Sequence, residues 1–185
     1  MQAKSPSPAS SRNAQDAPQE LRRALAQFAT GVTIVTTRAA DGTPVGMTAN
    51  SFASVSLDPP LVLWSLSRSA ASFEAFRTAR GFRVHVLAAD QLELAKRFAT
   101  RGADKFALGH WQHVGGQPPQ LQGCVAWFEC ATRSQHDEGD HVIFVGRIES
   151  LGAPGGVPLI FHDSRYVTDL AEAPLPKSML NTPWR

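Results

Sequence analysis

The stretch Gly46-Met-Thr-Ala-Asn-Ser-Phe-Ala-Ser-Val-Ser-Leu-Asp-Pro-Pro60 packs small residues, hydroxyls and an amide between flanks that alternate like strands. A purely structural strand would favour bulky branched side chains. Here Thr48, Ala49, Asn50, Ser51, Ala53, Ser54 and Ser56 leave the backbone within reach of a partner. Such a segment can lie against something flat and polar and offer it donors and acceptors. Without a ligand, it is a Ser-rich loop or a weak edge strand.

Other chemistries find less support. There is no Gly-x-Gly-x-x-Gly opening a helix after a strand and no Walker A sequence, so a nucleotide would have to be held another way. No Gly-x-Ser-x-Gly nucleophile elbow occurs. His110 and His113 in His-Trp-Gln-His lack a third ligand nearby, which argues against metal. Cys124 and Cys130 lie six residues apart, on one face if the segment is a strand, and read as core thiols.

The whole chain sets the bounds. Its 185 residues, 43% hydrophobic and 18% charged, suit one domain with tails, and two folded domains would be cramped. The net charge of +2 is spread out, with no basic block to neutralise a row of phosphates, so nucleic acid is not expected as a partner. No apolar run reaches the length of a membrane span and no signal-peptide block opens the chain, so the expected compartment is the cytoplasm.

Elements capable of positioning the central stretch follow in order. Residues 1–17 are too polar and broken to bury a face and read as a disordered tail. Asp16 with Gln19 can cap a helix carrying Leu21, Leu25 and Phe28 that ends at Gly31 and docks on a sheet. Val32–Thr37 and Thr43–Met47 read as antiparallel strands about an Asp41-Gly42 turn. Leu61–Leu66 reads as a buried strand, Ser69–Arg80 as a helix, and Phe82–Leu87 as a half-exposed strand. Asp90 and Glu93 form a second capping box for a helix reaching Ala99. Thr100–Gln120 is a long loop, functional or mobile. Leu121–Thr132 and His141–Leu151 form a hairpin about the polar turn Ser134–Asp140, with short extended pieces at Leu159–Phe161 and Arg165–Val167. The expected class is mainly β: an antiparallel Greek-key barrel with capping helices over 18–170, then an irregular tail, 171–185.

Three blocks, Phe28-Ala-Thr-Gly-Val-Thr-Ile-Val-Thr36, Gly46–Pro60 and Gly139-Asp-His-Val-Ile-Phe-Val-Gly146, in this order and spacing closely resemble the short-chain flavin reductase family. Its members are NAD(P)H:flavin reductase components of two-component flavin monooxygenases. The resemblance implies an FMN-binding split barrel, usually a homodimer, with FMN or FAD at the subunit interface, NADH or NADPH as co-substrate, and a monooxygenase receiving reduced flavin.

Carried onto this chain, it implies that Thr48, Ala49, Asn50, Ser51, Ser54, Val55 and Ser56 supply donors along the flavin ring and ribityl chain, continued by Ser65, Leu66 and Ser67. Arg68 and Ser72, at the start of a helix, would hold the phosphate. Lys105 with Phe106, and Arg97 with Phe98, offer a second cation and aromatic wall. His141 is expected to position the nicotinamide, and Phe161 and Tyr166 to close its side. Two alternatives share the fold: a non-catalytic flavin-binding redox sensor and an FMN oxidase resembling pyridoxamine-phosphate oxidase.

Overall fold

A computed structural model of the chain describes residues 17–169. The expected tails and the Asp16 cap lie outside these residues, apart from Ala17. The chain enters through helix α1 (Pro18–Ala26), then strands β1 (Thr30–Gly31) and β2 (Thr33–Arg38). Asp41 Oδ1 accepts the Thr43 N–H at 2.9 Å and Gly42 takes φ +85°, so this turn folds as its residue types require. It leads into β3 (Pro44–Ala49), β4 (Ala53–Leu57) and β5 (Pro60–Ser67). Helix α2 (Phe73–Thr78), β6 (Gly81–Val86) and α3 (Leu92–Ala99) follow. A long connection carries β7 (Trp111–Gln112) and β8 (Gln120–Leu121); β9 (Ala126–Glu138) and β10 (His141–Gly152) then form a long hairpin. Short strands β11 (Ile160–His162) and β12 (Arg165–Val167) end the fold; β11 pairs with β1 on one side and with β12 on the other.

The main sheet is antiparallel throughout, in the order β3-β2-β6-β9-β10-β5-β4. Its edges, β3 and β4, are consecutive in the chain, and no ladder joins them among the described residues. The sheet nevertheless curls on itself. Trp64 of β5 meets Phe82 of β6 at 5.7 Å between ring centroids although two strands separate them in the sheet. Trp64 also packs on Phe144 at 5.0 Å and on Phe76 of α2 at 4.9 Å, while Val35, Val84 and Cys130 complete this inner core. A second core lies outside the curl, where Leu94, Ala95 and Phe98 of α3 cover Val32, Ile34, Leu121 and Leu159.

Several local expectations are corrected. Helix α1 buries none of its residues: Leu25 is 66% exposed and, just beyond the helix, Phe28 is 78% exposed, so its apolar face is not docked on this chain's sheet. The predicted helix over 69–80 is confined to Phe73–Thr78, because Ser69–Ser72 form turns. Asp90 caps nothing; a 3-10 turn over Ala89–Gln91 precedes α3, and Gln91 Oε1 accepts the Ala88 N–H instead. The long hairpin runs through its supposed polar turn and reverses at Gly139, φ +58°. Cys124 precedes β9, so the two cysteines do not share a strand face, but both are buried. Burial raises both thiols, Cys130 to about 12, which keeps them protonated.

Candidate functional site

Three adjoining hollows make one groove along the β3 edge, between α3 and the turns before α2. The first, about 160 Å³, is lined by Val32, Thr48, Asn50, Ala99, Phe161 and Tyr166. Thr48 and Ala99 are shared with the second, about 290 Å³, which reaches Met47, Phe98, Arg101, Lys105 and Ser69–Ser72. Ala71, Ser72 and Lys105 continue into a third, about 330 Å³, towards Phe106 and Pro44.

The groove has chemically distinct ends. At one, the two-residue turn Asp163–Ser164, with φ of 46° and 60°, reverses the chain so that Phe161 and Tyr166 pair across β11 and β12 with rings 5.3 Å apart. In the middle, Thr48 Oγ1 donates to Ala95 O at 2.6 Å and fixes β3 to α3. The Ala49 carbonyl accepts from Thr33 Oγ1 at 2.7 Å. Ser51 Oγ donates to Ser65 O at 3.1 Å and accepts the Ser65 N–H at 2.9 Å, tying the end of β3 to β5. These hydroxyls shape the wall, and their remaining lone pairs are acceptors.

At the other end stand two cations. Lys105 Nζ donates to Gly46 O at 3.0 Å, and partial burial lowers its pKa from the usual lysine value. Arg101 shares its hollow with the hydroxyls of Ser69 and Ser72. A Cβ on Gly46 would stand 2.7 Å from Phe98 Cε1, so glycine there lets the Phe98 ring close against β3 under Lys105. Phe98 and Phe106 meet edge to face at 5.3 Å.

The remaining candidates stand apart from this groove. Arg68 is turned to the β9–β10 hairpin, its guanidinium 2.7 Å from Asp137, and does not line the groove with Ser72. His141 pairs with Ser67 in register, and Ser67 Oγ lies 2.9 Å from Ser69 Oγ at the groove wall. Its Nδ1 is 2.7 Å from Asp140 Oδ1, and this hydrogen bond holds the Asp140 carboxyl below its ordinary pKa. With Nδ1–H donated to Asp140, Nε2 is left to meet a partner. The Leu66 side chain is fully buried in the inner core, so only its backbone can contribute. Ser54, Val55 and Ser56 lie on edge strand β4, with a register irregularity at Val55, and line none of the three hollows. Arg101 and Met47 went unnoticed in the sequence, although the spacing Arg97, Arg101, Lys105 hinted at a cationic row.

An aromatic end, a polar backbone-lined middle and a cationic end suit a ligand with a flat ring system joined to phosphate. The small side chain of Ala99 leaves room beside the aromatic end, and Ala70 and Ala71 do the same at the cationic end, so the residues present fit a flavin nucleotide. The curled antiparallel sheet has its structural neighbours among the flavin reductase split-barrel folds. Residues 25–168 match the flavin reductase like domain, and the chain belongs to that family. An FMN reductase (NADH) of Agrobacterium fabrum is 47% identical over 145 residues, 78% of this chain and 82% of that protein. The reductase component of a flavin-dependent trigonelline monooxygenase from Acinetobacter baylyi is 42% identical over 80% of this chain, which spans only 48% of that relative's length. Among solved structures, an NADH:FAD oxidoreductase of Streptomyces globisporus in complex with NAD and FAD fragments superposes with a TM-score of 0.82 at 36% identity, covering 90% of this chain and all of that one.

Proposed function

We propose that this chain is an NAD(P)H-dependent flavin reductase that supplies reduced FMN or FAD to a partner monooxygenase. The observation that carries the reading is the three-part groove, whose Thr48 wall joins the Phe161–Tyr166 end to the Lys105–Arg101 end. A flavin held there would accept hydride from a reduced nicotinamide. The chain's own residues bind and orient: Lys105 and Arg101 neutralise phosphate, the backbone from Thr48 to Ser51 meets the polar ring edge, and Phe161 and Tyr166 shield the ring from water. His141, oriented by Asp140, holds the nicotinamide through Nε2. Arg68 braces the hairpin carrying His141 by its bond to Asp137.

Two features support a homodimer. The apolar face of α1 with Phe28, and the outer edge of β4 with Leu57 81% exposed, both await a cover that a second copy would provide. Two free, buried cysteines are in keeping with the cytoplasm. Among the described residues no helix is long and apolar enough to cross a membrane.

The test is oxidation of NADH and of NADPH with FMN, FAD or no flavin added. Turnover that saturates in free flavin is the expected result; bound flavin without turnover would point to a sensor. His141→Ala should raise the nicotinamide KM more than the flavin KM, and unchanged kinetics would remove His141 from its role.

A further inference from the structure

The connection between α3 and β9 ends in a strap, Gln117–Leu121, laid across the outer face of the sheet and fastened by side chains far away in sequence. Arg38 Nε donates to Gln117 O at 2.6 Å, Arg83 Nη1 to Pro118 O at 2.9 Å, and Thr36 Oγ1 to Pro119 O at 2.8 Å. Two prolines offer the sheet carbonyls only, and donors on β2 and β6 meet them. At Leu121 the polarity reverses: the strap presents an N–H, and His85 Nε2 accepts it at 3.1 Å.

His85 is fully buried, and its two bonds fix its tautomer. Ile34 O, 3.0 Å from Nδ1, can only accept, so Nδ1 carries the proton and Nε2 is bare. Burial, opposed by the Ile34 bond and aided by the Arg83 charge, pushes the pKa to about 3, so the ring stays neutral. From this clasp a short path leads to the groove. Leu121 pairs with Trp111 across β7 and β8, and the Trp111 ring lies 5.9 Å from His85, 5.3 Å from Phe98 and 4.9 Å from Phe106. Phe106 directly follows Lys105.

We propose that His85 is a positioning residue for the flavin groove: by accepting from Leu121 it sets the strap against the sheet and, through Trp111, holds Phe106 and Lys105 at the groove wall. The inference rests on the reading of the groove as the flavin site, and it assigns His85 no contact with flavin.

Two substitutions separate the ring's nitrogens. In His85→Gln the side-chain oxygen reaches the Nε2 position and keeps the bond to Leu121; in His85→Asn the amide reaches only the Nδ1 position, where its NH2 can donate to Ile34 O, and the bond to Leu121 is lost. Amide exchange over 105–121 and steady-state kinetics are measured on the full chain with FMN and FAD. H85N should exchange faster there and raise the flavin KM about tenfold, with kcat at saturating flavin unchanged, while H85Q stays within about twofold of the native chain on both counts. Faster exchange in H85N with an unchanged flavin KM overturns the proposal, as does equal loss in both variants. If H85N fails to fold, Thr36→Val, which deletes the Pro119 fastening, should raise the flavin KM in the same way, and an unchanged KM overturns it. Absence of flavin-dependent turnover in the native chain would sink the reductase reading instead; the clasp is then judged on exchange alone, and equal protection in H85N and H85Q overturns it.

Discussion

The two faces of the main sheet are held in different ways. Inside the curl, Trp64, Phe76, Phe82 and Phe144 pack ring on ring, and the core is made by shape and apolar area. Outside, beside the apolar core under α3, Thr36, Arg83 and His85 are buried polar groups, each with a bond to the strap that crosses them. Apolar packing is non-directional and tolerates small displacements, whereas hydrogen bonds fix a loop at one height and register. Both faces therefore draw stability from an apolar core, but only the outer face adds this set of directional bonds, and they are the source of precision at the groove.

The largest test of that contrast lies inside. Trp64→Ala should cost about 3–5 kcal/mol in denaturant unfolding, from lost burial plus a cavity. Trp64→Phe should cost far less, since it also removes a buried N–H without a partner among the described residues. If both cost the same, shape is not what holds this face. Next comes the groove: Lys105→Met should raise the flavin KM roughly 10- to 100-fold, the value of a charge-assisted contact, with little change in the unfolding midpoint. A fall in stability without a change in KM would make Lys105 a structural residue of the outer face.

A pH titration of stability probes His85. Its pKa is depressed in the fold, to about 3 from an ordinary 6.5, so the unfolded chain binds the extra proton. The charged group acting on it is Arg83, on its own strand, and Trp111 from the strap adds none. Stability from the neutral ring is complete above about pH 6.5 and declines as pH falls toward 3, at a limiting slope of about 1.4 kcal/mol per pH unit. Unfolding curves of H85Q should lack this component, and parallel pH profiles would contradict it. The smallest effect belongs to α1: Leu25→Ser should change monomer stability by no more than about 0.5 kcal/mol, because Leu25 is exposed, yet shift sedimentation toward the monomer.

Legibility in the sequence followed the range of the interactions. The Asp41-Gly42 turn was readable because its bond closes within two residues. The Gly46–Pro60 stretch stood out by composition, and Thr48 and Asn50 do line the groove. Arg68 looked like a free cation at a helix start because Asp137, its partner, lies on a distant hairpin. The segment 100–120 read as a long loop, functional or mobile, and its fastening was hidden for the same reason: Thr36 and Pro119 are separated by 83 positions, and nothing local announces their bond. Asp90 and Glu93 satisfied a capping pattern whose place Gln91 took, since a 3-10 turn moved the helix start by one residue.

The outer edge of β4 bears on how this protein must be handled. A strand bonded on one side only, with Val55 and Leu57 exposed, is a template onto which any extended chain can add. If a second copy is its natural cover, dilution is the more hazardous condition: below the dissociation constant each molecule bares that template together with the oily side of α1. Losses to vessel walls and slow precipitation should then worsen in dilute stocks and subside in concentrated ones.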